Sequence, residues 1–181
     1  NTNWQNKILR NSFNKNIYLK VTGGDNIATY ALSMGYMKNE GVVKNTDLTR
    51  YNTRFNAEFN FSKRFKGTTN LSFTYNEQNL KNQGNADKTA PIFLALTKSP
   101  FLTSQEVNEK GIFSPNLEET DILGISNPSA IIENMLATNK YYRLFGSFKF
   151  SYDIAKTLNA STMFGVVYDK VRENIFIPRK G

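Results

Sequence analysis

Apolar and polar side chains alternate along much of this chain. From Tyr51 to Ser62 the odd positions are Tyr, Thr, Phe, Ala, Phe and Phe, and the even positions are Asn, Arg, Asn, Glu, Asn and Ser. Successive side chains of a strand point to opposite sides, so this period of two predicts a strand with one apolar and one polar face. Five more segments follow the rule. Ile17, Leu19 and Val21 alternate with Tyr18, Lys20 and Thr22, and Leu32, Met34 and Tyr36 alternate with Ser33, Gly35 and Met37. Leu71, Phe73 and Tyr75 alternate with Asn70, Ser72, Thr74 and Asn76. Leu144, Phe148, Phe150 and Tyr152 alternate with Arg143, Ser147, Lys149 and Ser151, with Phe145 interrupting the pattern. Phe164, Val166 and Tyr168 alternate with Met163, Gly165, Val167 and Asp169. Six strands are predicted, near 15–22, 27–37, 50–62, 67–77, 141–153 and 157–170.

The connections between them are sorted by length. Gly23-Gly24-Asp25-Asn26, the stretch from Ser62 to Gly67, and the stretch from Asp153 to Thr157 read as short turns. On the other side, 38–48 reads as a longer loop and 78–140 as a very long one. Brief turns at one end and extended loops at the other are the habit of outer-membrane barrels, with the long loops extracellular. The third strand, at about 13 positions, reaches ~43 Å extended, or ~33 Å along the membrane normal at ~40° tilt, one hydrocarbon thickness with some overhang. Tyr36, Tyr51, Tyr75, Tyr142 and Tyr168 fall near the long-loop ends of their strands. An aromatic ring with a wet hydroxyl settles at a membrane–water boundary, so these five are the expected interface girdle.

The long loop carries two helical signals. Pro91 suits the first turn of a helix within Thr89–Thr97, and Pro100 stops it. Asn127 can cap a second helix opened by Pro128, in which Ile131, Ile132, Met135 and Leu136 share one face. A loop of this length is expected either to pack over the rim or to contact a ligand or partner.

Composition narrows the chemistry. The 181 residues contain no Cys and no His, which removes disulfides, thiolate or Ser-His-Asp nucleophiles and the usual zinc sites. No apolar run approaches the ~18–20 residues of a membrane helix, and the opening Asn1-Thr2-Asn3-Trp4 has no signal-peptide character. Aromatics reach 13%, which argues against disorder.

The run Gly35–Gln78, GYMKNEGVVKNTDLTRYNTRFNAEFNFSKRFKGTTNLSFTYNEQ, resembles the mid-barrel region of SusC/RagA-type TonB-dependent outer-membrane transporters. Thr2–Tyr36, the NPSAII segment Asn127–Ile132 and Arg143–Asp169 extend that resemblance over nearly the whole chain. The resemblance implies a 22-stranded barrel closed by an N-terminal plug, importing glycans or peptides with energy from TonB, under a SusD-like surface lipoprotein. It further implies that residues 1–181 supply about six consecutive wall strands and one long, partly helical extracellular loop, without the plug, the TonB box or a final barrel strand. Six such strands cannot close a polar lumen and leave two unpaired edges.

On this reading Asn52, Arg54, Asn56, Glu58, Asn60, Asn70 and Asn76, with Ser72 and Thr74, face the lumen and are candidates for solute contact through amide and charged groups. The competing expectation is that they hydrate the wall or meet the plug. The acidic residues Asp87, Glu106, Glu118, Glu119 and Asp121 read as solvated loop charge, without the fixed pair a hydrolase needs or the spacing of a calcium loop, so no catalysis, cofactor or metal is expected. The net charge of +8 fits an anionic partner, but Phe55 and Phe59 oppose Arg54 across the strand, which argues against nucleic-acid stacking. The alternative architecture is a soluble β-sandwich or adhesin-like module, which would bury the apolar face under a second layer.

Overall fold

The computed structural model describes residues 1–86, 88–117 and 124–177. Six long strands follow one another in an antiparallel meander: β1 (Asn14–Gly24), β2 (Ala28–Glu40), β3 (Asp47–Asn60), β4 (Phe65–Asn79), β7 (Leu136–Ala155) and β8 (Leu158–Phe176). Between β4 and β7 lie helix α2 (Pro91–Thr97), a small hairpin of β5 (Gln105–Val107) and β6 (Phe113–Leu117), and helix α3 (Pro128–Asn134). Helix α1 (Trp4–Ile8) precedes the sheet. The architecture is the expected all-β meander with a long, partly helical connection. The sheet is open, with β1 and β8 as its edges.

Several details differ from the sequence expectation. The strands run further, to 20 residues in β7, because backbone pairing continues past the last alternating side chain. The connection expected at 38–48 shrinks to 41–46, since Lys38, Asn39 and Glu40 pair with Thr49, Leu48 and Asp47. Helix α1 and the β5–β6 hairpin had no periodic signal; five residues are too few for a helical period to register.

Register carries the two-faced pattern across the sheet. Residues opposite each other in an antiparallel pair lie on the same face. Leu32, Phe55, Leu71, Gly146 and Val166 form one such rung, and Ala31, Asn56, Asn70, Ser147 and Gly165 the next. β1, β3, β4 and β7 therefore contribute their apolar sets to one face and their polar sets to the other, while β8 also puts Met163, Val167 and Val171 on the polar side.

Among the described residues no second layer covers either face. Phe73, Phe148, Phe164 and Val166 on the apolar face are exposed, and Phe55 is half-buried. A sandwich would bury this face between sheets, so the soluble two-layer alternative finds no support here.

The buried core sits at the long-loop end. Trp4, Ile8, Ala95 and Ile132 form one cluster, with Val43 and Leu102 against it; Leu94, Ile131 and Met135 form another, with Ile125 and Ala137. These come from α1, the 41–46 loop and the β4–β7 connection that carries α2 and α3, so three separate segments form one knot on the rim. Local signals open the helices where the sequence suggested, but α3 stops at Asn134, so Met135 only caps it and Leu136, expected on its apolar face, begins β7 instead. Pro91 and Pro128 open α2 and α3, and the Asn127 side chain accepts from the Ser129 N–H at 3.0 Å.

Lysines then bind carbonyls across the knot. Lys81 Nζ donates to the carbonyls of Ile131 and Met135 at the end of α3. Lys44 Nζ donates to Asn6 and Lys7 at the end of α1, at 3.1 and 2.8 Å. Lys98 Nζ donates to the Ile125 carbonyl at 3.0 Å and lies 5.7 Å from the Trp4 ring centre. Cations at helix C-termini satisfy orphan carbonyls and oppose the negative end of the dipole.

Candidate functional site

The polar face gathers most of the residues singled out from the sequence. Asn52 lies opposite Thr74, Arg54 opposite Ser72, Asn56 opposite Asn70, Glu58 opposite Thr68, and Asn60 opposite Lys66. Asn76 accepts from Arg50 Nε at 2.9 Å, and Asn70 donates to Ser147 at 3.4 Å. All seven candidates thus share one face of two adjacent strands. Gly35 lies opposite Asn52, and a Cβ there would collide with the Asn52 side chain. The glycine lets that amide lie across β2.

A hollow of about 250 Å³ opens on this face, lined by Arg54, Asn56, Asn70, Leu71, Ser72 and Phe145. Phe145 pairs with Ser72 and with Val167. Its place in the sequence looked like a lapse of alternation; in the fold it sets an aromatic ring among amides and a guanidinium on the polar face. The lapse was itself the only sequence signal for it. An aromatic platform beside Arg54, Asn56 and Asn70 can stack on a flat or ring-shaped solute while the amides hydrogen-bond its polar edge. Further along, Asp169 ties β8 to β7, accepting from Tyr141 Oη at 2.9 Å and pairing with Arg143 at 3.5 Å.

The apolar face shows two aromatic rows. Tyr36, Tyr51, Tyr75 and Tyr142 occupy a single rung on four neighbouring strands, with ring centres 5.2, 6.2 and 4.8 Å apart in turn. Tyr168 stands opposite Leu144, one rung nearer the short turns, while Lys170 takes the place beside Tyr142. The second row was missed from the sequence. Phe59, Phe61, Phe65 and Phe150 stack in succession at 5.9, 5.0 and 6.0 Å, and Tyr152 adds an edge contact to Phe65. Phe61 and Phe65 flank the short turn between β3 and β4, and Gly67 leaves the space that the Phe61 ring occupies. Three strands and one turn meet in this row, so no single strand's pattern reveals it.

From Tyr51 to Phe59 is about 26 Å along the strand and ~20 Å across a membrane at ~40° tilt. Between the rows the apolar face contains no charged residue: β1 offers Leu19 and Val21, β3 Thr53, Phe55 and Ala57, β4 Thr69, Leu71 and Phe73, and β7 Leu144, Gly146 and Phe148. This is the pattern of an apolar band flanked by aromatic girdles.

The acidic candidates contribute no assembled site. Asp87, Glu118, Glu119 and Asp121 lie outside the described residues, and Glu106 is exposed on β5. Among the described residues no three carboxylates gather where they could hold a metal.

Comparison with known proteins agrees with this geometry. No family model matches the chain. A TonB-dependent receptor of Formosa agariphila, P26, is 27% identical over 181 residues, covering 97% of the chain. A second receptor of that organism, P3, is 24% identical over 98% of the chain. The TonB-dependent receptor SusC of Bacteroides thetaiotaomicron is 27% identical over 51% of it. The chain spans only 17%, 18% and 10% of the lengths of these relatives. In fold it matches part of the RagAB peptide importer in its open-open state, with a TM-score of 0.70 and 16% identity over 94% of the chain and 19% of the importer chain. A second structure of the RagAB peptide transporter matches with a TM-score of 0.69 at the same coverage. The resemblance read from the sequence is thus present in both sequence and fold: the chain is similar to a stretch of a SusC/RagA-type TonB-dependent transporter.

Proposed function

We propose that this chain forms six consecutive strands and one extracellular loop of an outer-membrane barrel that imports nutrients with energy from TonB. The observation that carries the reading is the uncharged outer band between two aromatic rows, backed by the polar face of β3 and β4. In lipid, the apolar band lowers the free energy of a wall that in water would expose large hydrophobic side chains. The polar face then lines an aqueous lumen, with Asn52, Arg54, Asn56, Glu58, Asn60, Asn70 and Asn76 in reach of a solute or of a plug. The relatives bear the names of receptors and importers, and catalysis by this segment forms no part of the reading.

Glycan oligosaccharides and peptides both suit the hollow at Phe145. A ring stacked on a sugar or side chain and amides bonding hydroxyls or peptide groups serve either solute. The rim knot stands where a SusD-like surface lipoprotein would rest. Contact with TonB belongs to parts of the transporter other than these strands, and nucleic acid has no role.

Labelling tests the reading directly, in a full-length background from which any cysteines outside these residues, which contain none, are removed. Single cysteines are placed in the full-length transporter at Leu71, in the outer band, at Lys110, in the long loop, and at Lys63, in a short turn. In intact cells a membrane-impermeant maleimide is expected to label position 110 alone. Position 63 is expected to react only after the outer membrane is opened, and position 71 only with a lipid-soluble reagent. Equal labelling at 71 and 110 would overturn the membrane-wall reading.

A further inference from the structure

We infer that the outer face carries a phosphate-binding belt for membrane lipid headgroups, set immediately above the tyrosine row. The inference rests on the membrane-wall reading and deepens it. One rung beyond the tyrosines, on the same face, register aligns Lys15, Lys38, Thr49, Glu77, Lys140 and Arg172 across all six strands. Lys170 joins from the tyrosine rung itself, opposite Tyr142. On these two rungs five cations therefore meet one carboxylate along a line of about 24 Å at ~4.8 Å per strand, while Glu40 and Asp47, one rung further out on the same face, are engaged by Arg10 and Asn79.

Two features point to an anion outside the chain. Lys15 lies directly opposite Lys38, and Lys140 directly opposite Arg172. Directly opposed like charges destabilise a sheet, and a shared anion turns that repulsion into attraction. Glu77 meets part of the need, since its carboxylate pairs with Lys140 at 3.3 Å and accepts from Tyr75 Oη at 2.6 Å. Lys15, Lys170 and Arg172 are exposed.

The charge is also one-sided. At the other end of the same face the outermost rung holds Phe65, Tyr152 and Ala160, with no charge. A belt that served only solubility would have no reason to sit at one end. Tyrosine hydroxyls mark the headgroup level, so ammonium and guanidinium groups one rung above stand at the depth of lipid phosphates, which they bind with charge-assisted hydrogen bonds.

The test uses the full-length transporter in nanodiscs of phosphatidylcholine alone or doped with phosphatidylglycerol or lipid A. Native mass spectrometry reads which lipids remain bound. The wild type is expected to retain the anionic lipids selectively. A variant carrying Lys15→Gln, Lys38→Gln, Lys170→Gln and Arg172→Gln is expected to lose that selectivity by about tenfold or more. Insertion with equal retention of anionic and zwitterionic lipid, or with selectivity unchanged in the variant, overturns the belt and leaves the wall reading standing. Failure of the wild type to enter nanodiscs at all overturns both. Should the variant itself not insert, wild-type retention at rising salt decides: selectivity that falls with salt supports the belt, and selectivity indifferent to salt overturns it.

Discussion

The wall and the rim of this molecule are built on opposite principles. The six-stranded wall has almost no buried side chains: β8 is exposed along its whole length, and in β3 only Ala57 is buried. Its order comes from the backbone ladder and from register. The rim places Leu94, Ile8 and Ala90 at 1% exposure or less, using helices of only five to seven residues. Such helices are far too short to hold themselves in water, so their order comes from packing. The wall thus depends on its surroundings for stability, and the rim depends on itself. A wall strand can be read singly because each repeats one rule, whereas the rim exists only where three distant segments meet.

Substitutions at the two places should therefore fail in different ways. Leu94→Ala empties a fully buried site and should cost the rim about 2–5 kcal/mol, seen as faster hydrogen exchange in 91–97 and 128–134 with the strands unchanged. Leu71→Arg, near the middle of the outer band, should cost about 2–4 kcal/mol in bilayers. Asn70→Arg, one residue away on the polar face, should cost less than about 1 kcal/mol. Folding yield in liposomes checks the pair, and equal losses would erase the distinction between the faces.

Lys81→Ala should leave the carbonyls of Ile131 and Met135 without their donor and cost about 1–3 kcal/mol. Burial also holds the Lys81 ammonium below the ordinary lysine range. The unfolded chain therefore binds this proton more tightly, and the rim should gain stability as pH rises through the folded value toward the ordinary one. That slope, read from rim melting at alkaline pH, should vanish in the alanine variant.

The smallest effect belongs to the first short turn. The Asp25 carboxylate accepts the N–H groups of Ala28 and Ile27 at 2.9 and 2.8 Å, and these bonds hold it below the usual carboxylate range. Its contribution to the β1–β2 hairpin is present above the ordinary carboxylate value and is lost as pH falls through the lowered one. Asp25→Ala should abolish that acid sensitivity, measured as exchange of the Ala28 amide, and leave the rim untouched.

The sequence alone determined the two faces, the six wall strands, the sorted connections and the two proline-opened helices. Each of these depends on neighbours within a few positions: a period of two, a proline that cannot donate, an asparagine that caps. It also held the family resemblance, carried by the ordered runs from Gly35 to Gln78 and from Arg143 to Asp169. Tertiary structure decided what depends on register. Only pairing shows that four tyrosines share one rung while Tyr168 falls one below. Pairing likewise brings phenylalanines from three strands into one stack, turns Phe145 from a lapse into the wall of a hollow, and lines up five cations. A one-residue slip would send every side chain of a strand to the other face. That alignment is fixed between strands, across sequence separations as long as that from Phe65 to Tyr152, and no local pattern contains it.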